Sequence, residues 1–332
     1  MKRFNMVNED FICENCGKDV EKSSYTARDH CPYCLYSKHV DINPGDRENK
    51  CHGLLEPIAV EKYRDTYNMS NLRLIRHNKN LQQGAARNTG LKKACGNYIW
   101  FVDVDDIIMP GFLAILQHPN FLSDIDVFQF NAIAEDLNGN QIAEEFLQEA
   151  ITAVSGIDYL EYEANIRYEN RIRATWSKWY RRDYLIHNNL YFQEGVYWED
   201  VIHTLKCIYL STKFTYLPKI GYIYVQTPNS DMRGIQNGRK FADTIRFCVD
   251  SFTFLSLQKA STNIISFQKL YYERVLRKYK TNLHLLPLDE YEIFETIVSN
   301  LNLSIIEEFC TNDEHNWIMS SEGRLSVWNK TI

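Results

Sequence analysis

The chain has 332 residues, 45% of them hydrophobic and 13% aromatic, with 37 Lys and Arg against 43 Asp and Glu for a formal net charge of −6. That balance excludes a general nucleic-acid-binding surface, so no nucleic-acid partner is expected. No apolar run reaches membrane-spanning length and the first residues lack a signal-peptide core. The expectation is therefore a cytoplasmic protein, with peripheral contact at the inner membrane face still admitted. Nine cysteines, four of them in two C-x-x-C pairs, point to metal and a reducing compartment rather than to disulfides.

Residues 1–58 read as a distinct unit. Cys13-x-x-Cys16 is followed, after 14 intervening residues, by Cys31-x-x-Cys34. Four thiolates in two such knuckles can close a tetrahedral structural zinc site. Phe11, Val20, Tyr25 and Leu35 supply a small apolar cluster, too small to fold without a metal staple. His30, His39 and His52 are alternative ligands or lie around the site. The segment FICENCGKDV, then Arg28-Asp29-His30-Cys31-Pro32-Tyr33-Cys34-Leu35, Ser37-x-His39-Val40-Asp41, Pro44-Gly45-Asp46-Arg47 and Cys51-x-Gly53 resemble the RNHCP domain, a zinc-ribbon-like module. Asp29 stands where the naming motif of that family has Asn.

From Ala59 the pattern changes. Val60–Tyr67 has the look of a helix end, Leu72–Arg76 of a short strand, and Asn78–Gln83 of a loop. The chain is organised around the stretch from Gly84 to Pro110. Ala86, Gly90 and Ala94 form a small-residue stripe at helical spacing, suited to close approach to a sheet, and Gly96 is placed as a C-cap. Tyr98–Val102 is a continuous apolar run, expected as a strand buried on both faces, and it ends in Asp103, Asp105 and Asp106. Carboxylates at the carboxyl edge of a sheet stand where ligands bind in open α/β folds, and Asp-x-Asp suits a hard divalent cation that grips a diphosphate.

This stretch resembles the family 2 glycosyltransferases of the GT-A fold, whose G-x-x-A-R-N-x-G, A-x-G-x-Y-I and F-x-D-x-D-D pieces stand here in order. A second part of the resemblance is Trp176-Ser177-Lys178-Trp179-Tyr180, Arg182, Leu185, Asn189, Phe192, Glu194-Gly195 and Glu199-Asp200. The resemblance implies Mn²⁺ or Mg²⁺ on Asp103 and Asp105, and donor contacts from Arg87 and Asp106. It also implies that Asp200, beside Glu199, is the base that deprotonates an acceptor hydroxyl. Read from the residues alone, Glu199 and Asp200 cap a helix over Val201–Leu210 and complement its dipole. Against the family pattern, the first two strands and their D-D-G-S turn are absent. Leu72–Arg76 is then expected to pair directly with Tyr98–Val102, or the open edge to meet a second chain. Gln226 occupies the place of a family arginine, with Arg233 as a substitute. Arg167, Arg171, Arg173, Lys178, Arg181 and Arg182 form a basic stretch, by default a solvated face and otherwise a contact for an anionic or lipid-phosphate acceptor.

Beyond Pro110, a short helix is expected at Gly111–Gln117, strands at Ile125–Phe130 and Tyr222–Gln226, and a hairpin turn at Asn138-Gly139-Asn140. Further helices are expected at Phe241–Leu257, at Ile265–Lys280 and after Pro287, with Asp289 as the N-cap of the last. The fold class is α/β. A small zinc-ribbon-like domain (1–58) precedes an incomplete, Rossmann-like GT-A domain (59–235) and a helical C-terminal region (236–332) that serves packing or a homo-oligomer surface. The function implied is metal-dependent, inverting sugar transfer from a nucleotide-sugar to a saccharide or lipid-linked acceptor in surface polysaccharide or glycoconjugate synthesis. The alternative is a non-catalytic zinc-ribbon adaptor that carries a glycosyltransferase remnant.

Overall fold

The computed structural model describes residues 9–13, 17–22, 37–38, 54–55, 73–117, 124–145, 149–166, 174–226, 237–309 and 316–329. The chain divides into two compact units, 1–81 and 82–332. In the first, β1 (Phe11–Ile12) pairs antiparallel with β2 (Asp19–Val20), and β3 (Ser37–Lys38) with β4 (Leu54–Leu55). The turn between β1 and β2 is closed by the Cys13 amide on the Lys18 carbonyl (2.9 Å) and the Gly17 amide on the Cys13 carbonyl (2.8 Å). Gly17 has φ +70°, which glycine adopts without a Cβ penalty. Cys13 and Val20 are buried, with Phe11 packed against them. Arg73–Arg76 is irregular rather than a strand. Its two arginines are exposed and Ile75 is 44% exposed, so the segment has no apolar face to hold it in a sheet. Leu72 and the helix expected over Val60–Tyr67 lie outside the described residues.

The second unit is built on a seven-stranded mixed sheet. Its main path runs β5 (Tyr98–Trp100), β10 (Lys178–Arg181), β7 (Val127–Glu135), β11 (Phe214–Val225) and β6 (Ile107–Ile108). β7 and β11 are parallel; β10 runs antiparallel to both β5 and β7. β8 (Gln141–Glu145) joins β7 across the expected hairpin, where Asp136 accepts the amides of Asn138 (2.8 Å) and Asn140 (2.9 Å). β9 (Ile151–Val154) adds to β11. β5 is shorter than expected and is not buried on both faces: Ile99 and Phe101 are buried, whereas Val102 is 43% exposed. Among the described residues β5 pairs only with β10, so its outer edge carries no strand.

α1 (Gln82–Lys93) precedes β5 and buries Gly84, Ala85, Asn88 and Leu91. Two members of the small stripe face the other way, since Ala86 and Gly90 are exposed, whereas Ala94 packs against the core. Asn88 decides the rotation: its Nδ2 donates to the Phe192 carbonyl (2.9 Å) and its Oδ1 accepts the Phe192 amide (2.8 Å). That bonded face carries Gly84, where a Cβ would stand 2.4 Å from the Gln193 carbonyl oxygen.

α1, α2 (Gly156–Ile166), α3 (Arg182–His187) and α4 (Glu199–Tyr209) supply the core around Leu91, Phe101, Tyr159, Leu185, Leu205 and Phe214. A separate aromatic cluster holds Phe112, Phe128, Phe130, Trp179 and Tyr222, with Trp100 packed against it. α5 (Gly238–Leu257), α6 (Thr262–Asn282) and α7 (Leu288–Val298) enclose a third core around Phe241, Phe252, Tyr272, Leu276 and Phe294. Asn237 caps α5 and Ser261 caps α6 through their side chains. Asp289 lies inside the first turn of α7, whose N-cap is Pro287. Val201 and Trp198 pack into this third core, so the C-terminal helices are built onto α4.

Candidate active site

The turn after β5 is held by one hydroxyl. The Tyr222 Oη accepts the Asp103 amide at 3.0 Å and donates to Asp106 Oδ2 at 2.8 Å, while the Val225 amide donates to Asp106 Oδ1 at 2.9 Å. Both Asp106 oxygens are thus engaged by β11, and this carboxylate ties the turn to the sheet. Burial pushes it up to about 6 against these two bonds. Asp105 is exposed, and among the described residues no side chain donates to it. Asp103 is intermediate, its side chain 27% exposed.

Arg87 joins this turn to the second acidic group. Its Nη2 donates to Asp103 Oδ1 at 2.8 Å and its Nη1 to Glu199 Oε1 at 2.5 Å, with the guanidinium 5.4 Å above the centre of the Phe192 ring. Burial works to lower its pKa, but Asp103, Asp200 and Glu199 more than reverse that and raise it. The guanidinium expected at a nucleotide is therefore held between two carboxylates. Glu199 is pushed up to about 7 by burial and by neighbouring Asp200, with Arg87 opposing. Asp200 is likewise raised by burial, while Arg87 and Lys178 act to keep it ionised. Glu199 and Asp200 open α4 without a side-chain cap bond; its N-cap is Trp198 at φ 62°.

The loop that delivers this pair is gripped from two sides. On one, α1 closes to contact distance at Gly84. On the other, the Tyr197 amide donates to Asp243 Oδ2 (3.0 Å), Arg239 donates to the Gly195 carbonyl and the Trp198 indole N–H reaches the Lys240 carbonyl (3.4 Å). The C-terminal helices carry no chemical motif in the sequence, and no local signal connects Asp243 to a loop 46 positions away.

The basic stretch does not form one solvated face. Lys178 is fully buried, donating to the Ala174 carbonyl (2.9 Å) and Ser177 Oγ (3.2 Å). Arg181 binds Asp126 at 2.5 Å and Arg182 binds Asp183 at 3.3 Å. Arg167, Arg171, Arg173 and Arg233 lie outside the described residues, as do Cys16, Cys31, Cys34, His30, His39 and His52.

Among the described residues no group of three or more His, Cys, Asp or Glu is placed to hold a metal ion. Asp103 and Asp105 offer two carboxylates, one shared with Arg87. This fits Mg²⁺ or Mn²⁺, which is commonly held by one or two carboxylates together with substrate phosphates. Of the zinc set only Cys13 is described. Among the described residues no helix is long and apolar enough to cross a membrane.

A mixed sheet with an acidic turn at a strand end, bridged to acids at a helix start, defines a GT-A-like α/β protein. The fold is similar to that of S. aureus TarS 1-349 in complex with UDP-GlcNAc, with a TM-score of 0.50 at 16% identity over 82% of this chain and 77% of that one. Residues 8–84 match the RNHCP domain and residues 57–187 match glycosyl transferase family 2. The two matches overlap at 57–84 and are consistent with an RNHCP domain joined to a family 2 glycosyltransferase domain. Relatives include the uncharacterized glycosyltransferase YibD of Escherichia coli, 27% identical over 60% of this chain and 56% of that protein. Glycosyltransferase GlyA of Streptococcus pneumoniae is 30% identical over 44% of this chain and 21% of that protein. The chain thus spans little more than half the length of the first relative and a fifth of the second.

Proposed function

We propose that this chain transfers a sugar from a nucleotide-sugar to an acceptor hydroxyl with inversion at the transferred carbon. The observation that carries this reading is Arg87, whose guanidinium joins Asp103 on the acidic turn to Glu199 beside Asp200. Two sets of carboxylates from distant parts of the sequence are thereby held within the span of one side chain. Asp105, with Asp103, would hold Mn²⁺ or Mg²⁺, which when bound neutralises charge on the departing diphosphate. Asp200 takes the acceptor proton as the acceptor oxygen bonds to the sugar carbon and the bond from that carbon to the diphosphate oxygen breaks. Its raised pKa suits a base that must accept a proton near neutral pH. Arg87 and Lys178 act in the opposite direction, toward the ionised form that accepts the proton. The acceptor is read as a saccharide or lipid-linked saccharide of surface polysaccharide or glycoconjugate synthesis, on the family resemblance alone. In the first unit, Cys13, Cys16, Cys31 and Cys34 are proposed to hold one structural zinc; elemental analysis that finds none in folded protein removes that assignment.

Calorimetric titration with UDP, GDP and TDP in the presence of manganese tests the donor site, on the natural chain and on Asp105→Asn. Metal-dependent binding by the natural chain, lost in the variant, is the expected result. Folded protein that binds none of the three nucleotides overturns the reading.

A further inference from the structure

The turn Thr175–Ser177 packs against α4, which Glu199 and Asp200 open, and against β11, which holds the other acidic turn through Tyr222. Its backbone is pinned from within the protein. The Trp100 indole N–H donates to the Trp176 carbonyl at 2.6 Å, and the buried Lys178 ammonium donates to the Ala174 carbonyl at 2.9 Å. The Thr175 hydroxyl bonds to Tyr180 Oη at 3.1 Å. Thr175 and Ser177 are fully buried, and Trp176 is the member of this turn that keeps exposed surface. Its indole is stacked with Tyr222 at 4.7 Å and 11°, and with Tyr224 at 6.0 Å and 5°. Tyr222 is fully buried, and its hydroxyl is the one that holds Asp103 and Asp106. Trp176 and Tyr224, the other two rings, remain partly exposed. Among the described residues the Trp176 indole N–H has no acceptor.

A rigidly mounted indole with exposed surface and an available donor, one tyrosine away from the acidic turn, is an unusual use of a tryptophan. Buried tryptophans usually find a partner for their N–H. Trp176 and Tyr224 bring no cationic group to this aromatic surface, so it offers nothing of its own to pair with an anion. What remains suitable is a neutral ring with an apolar C–H face for the aromatic surface and hydroxyls for the indole N–H. We infer that Trp176, with Tyr224, forms the subsite for a neutral pyranose ring of the acceptor. The inference rests on the sugar-transfer reading for the acceptor's role, but the subsite itself is testable apart from it.

The test uses the full chain carrying ¹⁵N at its six tryptophan indoles, with the Trp176 signal identified by its absence from Trp176→Phe. Methyl β-D-glucopyranoside, methyl β-D-galactopyranoside and methyl N-acetyl-β-D-glucosaminide are titrated singly, with and without UDP and manganese. UDP-glucose and UDP-N-acetylglucosamine are titrated in parallel. The expected result is a saturable shift of the Trp176 signal with at least one methyl glycoside. Saturation-transfer measurements should show affinity about tenfold weaker in Trp176→Ala, the loss typical of removing an aromatic stacking surface, and largely kept in Trp176→Phe. A signal that stays fixed with every glycoside, moves only with the UDP-sugars, or accompanies equal affinity in Trp176→Ala overturns the inference. If the natural chain binds no nucleotide yet the signal moves with a glycoside, the transfer reading fails and the carbohydrate subsite stands.

Discussion

The two acidic groups of the site contain the same kinds of side chain and are prepared for opposite tasks. The turn after β5 leaves Asp105 in solvent and ties down its neighbour Asp106 through Tyr222 and Val225. The start of α4 places Glu199 in the protein interior, with Asp200 beside it, and burial raises both. An exposed carboxylate can meet a hydrated cation. A carboxylate pushed up by burial can take a proton close to neutral pH. Environment rather than residue type separates the two roles, and Arg87 keeps them in register.

That comparison can be broken most forcefully at the base. Asp200→Asn should lower sugar transfer by about 10²–10⁴-fold while leaving nucleotide binding in place, measured by product formation and calorimetry. An unchanged rate would assign the proton to another group.

Arg87→Met should come next, because it leaves Glu199 buried without its counter-charge. A loss of about 3–5 kcal/mol in urea unfolding is expected at pH 8. The loss should shrink at pH 5. A carboxylate whose pKa is raised in the folded state favours folding while it is protonated and withdraws that support as pH climbs. For Glu199 the window runs from its ordinary value of 4.5 to about 7. A pH-independent loss would show that Glu199 is not the group left without its counter-charge.

Gly84→Ala sharpens the geometric half of the comparison. The added Cβ meets the Gln193 carbonyl oxygen at 2.4 Å and Glu199 Cγ at 3.2 Å. A cost of about 1–3 kcal/mol in thermal or urea unfolding is expected from overpacking. The smallest stability effect belongs to Asp105→Asn, within about 0.5 kcal/mol of the natural chain, although metal-dependent nucleotide binding should vanish. A large destabilisation there would mean that Asp105 holds the fold as Asp106 does.

Both acidic groups were legible in the sequence because each is a run of adjacent residues at an element boundary. The apolar run before Asp103 and the amphipathic run after Asp200 mark those boundaries. The link between them was not legible. Arg87 meets Glu199 across 112 positions and Tyr222 meets Asp106 across 116, and nothing local in the sequence announces either. The orientation of α1 differs from expectation for a related reason. A stripe of small residues promised close packing, but the polar demand of Phe192 on Asn88 turned Ala86 and Gly90 outward. Lys178 likewise reads as one more charge in a basic stretch, yet it is closed inside the protein by the turn it holds. Leu72–Arg76 shows the converse limit, since two aliphatics between arginines resemble a strand but the described part buries no face.

The position of β10 has a consequence for how the chain assembles. It lies between β5 and β7 although both precede it in the sequence, and β7 in turn pairs with β11, Val127 opposite Phe214. During synthesis the two earlier strands must wait for later ones, exposing pairing edges meanwhile, and such long-range closure slows folding. A nascent chain that stops before Phe214 carries the whole acidic turn yet lacks the tyrosine that fastens it, so this half of the site is acquired late, when β11 emerges.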